Sequence, residues 1–259
     1  MPRVSRLNIA PVRSLGLESR DEIRVDAKGV REDRRFFVAD ADGGRIVDQL
    51  IEGSMVQVGA WTDPEATVLR LTFPDGRVVE DKVRVADAIE TPIHGRTGVG
   101  HVVDGPFAAA LGEFLGRDVL LVRCDQPGGT RIANAVTLVT DGSLGALGAV
   151  LGAGAVDARR FRMLIELDGG RPHEEDTWIG GRIGLGDTIL RITAGVARCA
   201  MTTHDPDTGH RDLDTLHGIK AYRGLVDGKD LMFGVRGEVE RTGTIRVGDE
   251  VTILEPQPA

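Results

Sequence analysis

Short runs of alternating apolar and polar residues, broken at brief intervals by glycine, proline and aspartate, set the pattern of this chain. Residues 3–12 alternate in this way and predict a strand with Leu7, Ile9 and Val12 on one side, after which Pro11-Val12-Arg13-Ser14 turns the chain. A short strand is expected over Glu22 to Asp26, ended by Gly29, and another over Arg34 to Ala39, closed by an Asp40-Ala41-Asp42-Gly43-Gly44 turn. The clearest hairpin joins Val68–Phe73 to Val78–Glu80 through Pro74-Asp75-Gly76-Arg77. Pro106 to Leu115 predicts a helix, with proline in its first turn and Gly116 after its end. Val119–Val122 follows as a buried strand, and Gln126–Thr130 as a loop that divides the chain into regions 1–125 and 126–259. Val136–Val139 then predicts a strand. A Thr140–Ser143 turn leads into a helix with Leu144, Leu147 and Leu151 on one face and Ser143 as the expected N-cap.

One echo appears late in the chain. Ile183-Gly184-Leu185-Gly186-Asp187 and the five residues after it match Ile245-Arg246-Val247-Gly248-Asp249 and its continuation: strand, Gly-Asp turn, strand in both copies. Two copies do not make a solenoid, and they read as equivalent corners of one barrel. Strands outnumber helices throughout, so the expected class is α+β, β-dominated, a β-barrel core with an N-terminal β-rich region and a few helices.

Composition bounds the function. At 259 residues and 41% hydrophobic content the chain can build a substantial core. Its net charge of −8 argues against a nucleic-acid partner, although a local basic pocket remains compatible with it. The first residues lack the apolar stretch of a signal peptide, and the longest uncharged run, Gly142 to Val156, is too short to span a bilayer. A cytoplasmic protein with no membrane partner is expected. The two cysteines, Cys124 and Cys199, are too few for a cysteine-built zinc ribbon or an iron–sulfur cluster within this chain.

The chemistry concentrates around Cys199. Arg198 precedes it, Thr202 and Thr203 follow, and Asp205-Pro206-Asp207-Thr208-Gly209 forms a turn. A neighbouring guanidinium favours the thiolate, the form that attacks or binds soft metals. A buried, inert thiol is the alternative reading for Cys199 and the preferred one for Cys124. Cys199, His204, Asp205 and His210 are close in sequence, but their spacing fits no established zinc pattern. There is no HExxH, GxSxG or Walker A lysine. Arginines recur at Arg13-Ser14, Arg34-Arg35, Arg159-Arg160-Phe161-Arg162 and Arg198. Together they could hold a phosphorylated, metal-bearing ligand; singly they read as surface residues paired with carboxylates such as Glu32 and Asp157.

The string Arg198-Cys199-x-x-Thr202-Thr203-x-Asp205-Pro206-x-Thr208-Gly209 resembles the signature of the MOSC family, the domain of molybdenum-cofactor sulfurase C-termini. Pro11-Val12-Arg13-Ser14 is similar to the entry of that family's N-terminal β-barrel region, and Gly29 to Phe36 to its Asp-Arg strand. Arg160–Arg162, Glu174–Trp178, Leu216–Arg223, Phe233-Gly234 and Gly243–Asp249 follow in family order. The resemblance implies a molybdenum cofactor of the molybdopterin type, with Cys199 as metal ligand and catalytic residue. It implies Arg13, Ser14, Arg34 and Arg162 around the pterin and its phosphate, with Arg198, Thr202 and Thr203 near the metal. Thr140 and Ser143 would add donors at a helix N-terminus.

The activity implied is that of the amidoxime-reducing members: an oxidoreductase that removes oxygen from small N-hydroxylated or N-oxide substrates. The last residues, Pro256 to Ala259, add no cysteines, so electrons would come from a separate flavin- or ferredoxin-type protein. The alternative is a sulfur carrier or cofactor-handling protein, with Cys199 as a persulfide loaded by a separate cysteine desulfurase. One departure stands out: Leu164 occupies the place of a family asparagine expected at the cofactor.

Overall fold

The computed structural model describes residues 1–42, 44–93, 95–131 and 135–256. Gly43, in the expected turn after Ala39, and residues 257–259 lie outside them. The alternation in the first segment builds the Arg3–Ile9 strand, which buries Val4, Leu7 and Ile9. It stops short of the expected end because Pro11 has no N–H to continue a ladder. Val12 instead bridges Phe36 in a parallel pair outside the main sheet.

The largest sheet has eight strands in the order Val251–Glu255, Arg182–Leu185, Thr188–Ala197, Met232–Arg241, Val136–Thr140, Ile165–Asp168, Arg3–Ile9, Glu18–Arg20. All neighbours are antiparallel except Val136–Thr140 and Ile165–Asp168, which run parallel. A parallel pair needs a crossover, and helix α2, Asp141–Leu151, lies within that connection. The sheet curls back on itself. Arg3 bridges Glu250 at the start of the far strand, Val4 N–H donates to Asp249 O at 2.9 Å, and Val251 N–H donates to Pro2 O at 2.9 Å. Those bonds join the first strand to the last, so the ring encloses a core that includes Leu7, Ile9, Leu138, Ile165, Leu190 and Val235. The molecule is a β-dominated α+β fold.

A five-stranded sheet (Ile46–Val47, Phe36–Asp40, Val119–Cys124, Arg96–Asp104, Arg84–Ile93) and a three-stranded one (Gly59–Thr62, Val68–Thr72, Val78–Lys82) account for most of the N-terminal region. The expected hairpin is the second of these, with Phe73 N–H on Arg77 O at 2.9 Å. Helix α1 spans Phe107–Leu115, between Pro106 and a left-handed Gly116. The two halves interleave: Arg3–Ile9 lies in the sheet of the C-terminal half, and Glu22–Val25 pairs with Gly243–Arg246. The two Gly-Asp corners touch, with Asp187 N–H on Thr244 O at 3.0 Å.

Several elements went unrecognised in the sequence pattern, among them the strands Gly59–Thr62, Ile165–Asp168 and Met232–Arg241, and two others show why. The long Arg84–Ile93/Arg96–Asp104 hairpin exposes Arg84 to Ala88 in succession, which erases a two-residue period. Helix α3, Thr215–Arg223, is largely polar and buries only Thr215, Gly218 and Ile219; it seats Gly218 on Leu147 and Leu151 of α2. The α2 cap also differs from expectation. Thr140, not Ser143, is the cap, and its Oγ1 accepts from Ser143 N–H at 3.3 Å.

Gly209, which ends the turn after Cys199, packs backbone to backbone on Gly53 of the N-terminal half, and a methyl there would collide with the Gly53 carbonyl. Gly76 has a similarly positive φ of 87° but open space around it. Gly209→Ala should therefore lower stability by about 2–4 kcal/mol, combining left-handed strain with overpacking. Gly76→Ala should cost only about 1–2 kcal/mol, from strain alone. Denaturant unfolding of both variants checks this, and equal losses would remove the packing contribution.

Candidate functional site

The register Leu7↔Ile165 puts the segment after Ile9 and the segment before Ile165 at one end of the ring. Arg13-Ser14 and Arg160–Leu164 therefore meet there. They line a cavity of about 290 Å³, near the lower end of the roughly 300–1,000 Å³ typical of ligand sites. Seven arginines and two aspartates contribute to its wall, alongside Cys199, Thr202 and an apolar side of Phe161, Met163 and Leu164. An acidic protein thus contains a strongly basic hole.

The arginines differ in how they are held. Arg34 places Nη1 on both carboxylate oxygens of Asp33, at 2.8 and 2.7 Å, and Nη2 on Arg162 O at 3.1 Å. Arg131, which the sequence reading overlooked, approaches the same carboxylate at 3.1 Å. Burial pushes the Asp33 carboxyl upward, but Arg34, Arg131 and the Ala10 N–H outweigh it and hold it below the usual range. Arg13 and Arg162 have no carboxylate within ion-pair distance among the described residues. Arg13 donates to Thr130 O at 2.6 Å and Arg162 to Leu15 O at 2.6 Å. Burial, then the neighbouring Arg34, lowers Arg13 to about 10; the same causes in the same order lower Arg162 to about 9. Both remain charged at neutral pH, and the more distant carboxylates of Asp48, for Arg13, and Asp33, for Arg162, only partly offset these causes.

The backbone carries a second mark. Six described non-glycine residues have positive φ, and three of them line this cavity: Ser14 at 69°, Arg34 at 55° and Arg162 at 51°. Each such conformation costs of order 1–3 kcal/mol and persists only where its surroundings enforce it. Ser14 Oγ and Arg13 Nε are buried with no hydrogen-bond partner. The site thus keeps a hydroxyl and a guanidinium N–H in reserve.

Cys199 follows the Thr188–Ala197 strand and opens a 3₁₀ turn, Ala200–Thr203. Its side chain is exposed at the cavity, whereas Cys124 is buried and its thiol is pushed up to about 12 by that burial. Arg198 braces the position. It donates through Nε to Phe233 O at 2.8 Å and through Nη1 to Phe161 O at 3.0 Å, with its guanidinium over the Phe161 ring. Burial lowers Arg198 to about 9, and Cys199 partly opposes that shift as it does the lowering of Arg13, which couples the C-terminal thiol to the N-terminal arginine. Thr202 bonds Cys199 O at 3.2 Å and Thr215 at 2.6 Å.

Arg13, Ser14, Arg34, Arg162, Arg198, Cys199 and Thr202 therefore come together around one cavity. Thr203 does not line it and turns its hydroxyl to Ala200 O at 2.7 Å. Thr140 and Ser143 are also elsewhere. Their hydroxyls both donate at 2.7 Å to Glu175, a fully buried acidic side chain, so an internal carboxyl group already occupies the N-terminus of α2. Of the histidines near Cys199, His204 accepts the Arg211 Nε–H at its Nε2. Leu164 is 3% exposed and packs into the ring's core while lining the cavity. Asp33, Arg131 and Arg236 were not expected as site residues. The Asp33-Arg34 pair was a usable signal for the first, and lone arginines gave none for the others.

Comparison with known proteins agrees with this architecture. The MOSC N-terminal beta barrel domain matches residues 1–110 and the MOSC domain residues 100–252; the chain belongs to the MOSC family. It is 26% identical to mitochondrial amidoxime reducing component 2 of Bos taurus, over 96% of this chain and 82% of that protein. A shorter match, 39% identical to mitochondrial amidoxime-reducing component 1 of Mus musculus, covers 38% of this chain and 31% of that protein. Among solved structures, the YuaD protein of Bacillus subtilis aligns over 97% of this chain and 94% of its own, at 12% identity and a TM-score of 0.45.

Glu175 generates a test of the corrected assignment. Burial raises its pKa against the pull of Thr140 and Ser143. The folded state then holds its proton more tightly than the unfolded one, so this group's contribution falls as pH rises past the ordinary carboxylate range. Glu175→Gln removes that loss. Its Tm relative to wild type should climb as pH rises above the ordinary carboxylate range, about pH 4, and a pH-independent difference in thermal melts would contradict the assignment.

Proposed function

We propose that this chain binds a molybdenum cofactor of the molybdopterin type and uses it to remove oxygen from small N-hydroxylated or N-oxide compounds. The observation that carries this reading is one cavity shared by an exposed thiol, Cys199, and the buried guanidiniums of Arg13 and Arg162, which have no carboxylate within ion-pair distance among the described residues. Membership of the MOSC family and similarity to amidoxime-reducing components support it.

The donor set suits such a group at both ends. Thiolate sulfur is a ligand for soft, sulfur-bonded metals, and arginine forks match phosphate. Ser14 Oγ and Arg13 Nε, buried and unpartnered, are donors that a phosphate would satisfy. In this reading Arg13, Ser14 and Arg34 hold the phosphate, Arg162 the pterin, and Cys199 the metal. Bound there, the cofactor would supply two-electron oxygen-atom acceptance.

The chain's own residues position and shield. Arg198 fixes the backbone next to Cys199 through two carbonyls, and Thr202 holds the Cys199 carbonyl. Phe161, Met163 and Leu164 form an apolar wall that limits water at the same face. The surplus positive charge of the arginines favours any negative charge that develops on the departing oxygen. A separate flavin- or ferredoxin-type protein would supply the electrons.

The exposure of Cys199 favours one other reading, a sulfur carrier bearing a persulfide loaded by a cysteine desulfurase. Expression in a host that makes the cofactor separates the two. Wild type should carry molybdenum and pterin near one per chain and reduce benzamidoxime with a chemical reductant. Cys199→Ser should lose at least about tenfold in bound molybdenum, because oxygen is the harder ligand. Wild type purified without molybdenum or pterin would overturn the proposal, and a persulfide on Cys199 without turnover would establish the carrier.

A further inference from the structure

A second cavity, of about 200 Å³, lies on the other side of Arg160 and Arg162 from the first. Its wall is mostly polar, and two of its side chains are left without partners. Gln49 is 3% exposed and its Oε1 has no hydrogen bond; His204 is 4% exposed and its Nδ1 has none. Leaving such an atom buried and unpaired costs about 1–3 kcal/mol, so each implies something that completes it.

The protonation of the histidine follows from its other nitrogen. The Arg211 Nε–H donates to His204 Nε2 at 3.0 Å, and an arginine can only donate. Nε2 is therefore the acceptor, and the ring proton sits on Nδ1. Burial first, then Arg211 and Arg160, lowers the pKa of His204, so the ring stays neutral near pH 7. The cavity thus presents one unsatisfied donor, His204 Nδ1–H, and one unsatisfied acceptor, Gln49 Oε1.

The charges beside them are unequal. Arg159 is shared between Asp157 and Asp207, and Arg160 makes two 2.7 Å bonds to Asp212. Arg162 has no carboxylate within ion-pair distance among the described residues and donates to a backbone carbonyl. A ligand here must bring negative charge for Arg162, an acceptor for His204 and a hydrogen-bond donor for Gln49.

The geometry points to a binding site in this second cavity for a small oxyanion that carries a hydroxyl: hydrogen phosphate, or the phosphate end of a small hydroxylated metabolite. Inorganic phosphate keeps at least one proton near neutral pH and gives it to Gln49 Oε1, while its other oxygens accept from His204 and Arg162. Sulfate has similar size and charge but no proton, and would leave Gln49 Oε1 buried and unpaired. At roughly 30 Å³ per water, the volume takes such an ion with waters or several waters alone.

Titration of the whole protein with inorganic phosphate, sodium sulfate and glycerol 3-phosphate tests this. The Gln49 side-chain amide and the His204 ring signals in ¹⁵N NMR report this cavity rather than the one at Cys199. Phosphate should shift both and bind about tenfold or more tighter than sulfate, the difference one unsatisfied acceptor makes. Gln49→Leu should bring the phosphate-to-sulfate ratio to about one, and His204→Phe should weaken both ions. Tighter binding of glycerol 3-phosphate than of phosphate assigns the site to a metabolite, and the reverse to the free ion. Unmoved signals, or equal affinity for phosphate and sulfate in wild type, would overturn the site and leave a water-filled cavity. The wild-type comparison requires no variant to fold.

Discussion

Incompletely compensated positive charge buried at one end of the strand ring is the constraint on which the rest of the site depends. Arg34 and Arg131 share Asp33, but Arg13 and Arg162 are held only by carbonyl oxygens. A carbonyl is a partial charge, so desolvation and mutual repulsion are only partly offset, and the two guanidiniums are depressed to about 10 and about 9. Folding tolerates that because the ring buries a large apolar core beneath it. An anion bound there would return free energy to the folded state in proportion to its occupancy. The cavity is thus a place where stability is withheld until a ligand arrives.

Topology decides which residues share that cost. The antiparallel pairing of Arg3–Ile9 with Ile165–Asp168 places two distant loops at the same end, and both loops carry arginines. The pairing Ala197↔Met232 sets the position of the strand end that leads to Cys199. The backbone at Ser14, Arg34 and Arg162 is left-handed in each of the three separate segments that bring these side chains to the cavity. None of these residues is glycine, so ease of conformation does not explain the choice. The side chains themselves are needed.

This explains which parts of the site could be read from sequence. Cys199 and the arginines were visible because each sits in a short string whose residue types already suggest anion or metal chemistry. The helix start at Thr140 carried the same kind of local signal and misled, because the group that fills it is the carboxyl of Glu175, 35 residues away. Local patterns show that donors exist but not whether another part of the chain has used them. Asp33 and Arg131 were hard to place for the converse reason: their roles are defined only by each other and by Arg34. Helix α3 was missed because it buries small and polar residues against α2, leaving little apolar period to detect. The ring itself was suggested by the repeated Gly-Asp corners, which do meet in space, but its closure through backbone bonds and the Arg3–Glu250 ion pair joins residues too far apart in sequence for any local pattern to show.

The distribution of carboxylates completes the argument. The chain has 40 acidic and 32 basic residues, so countercharges are plentiful. They are spent on neighbouring arginines: Arg159 has two aspartates, and the buried Arg160 donates through both Nη atoms to Asp212 with Asp205 nearby. Arg162 has no carboxylate within ion-pair distance among the described residues, although it is the residue common to both cavities with Arg160. An acidic surface around unpaired internal arginines repels large polyanions through the long-range field while leaving a strong short-range attraction for a small anion that fits inside. Size, rather than charge alone, then selects what enters.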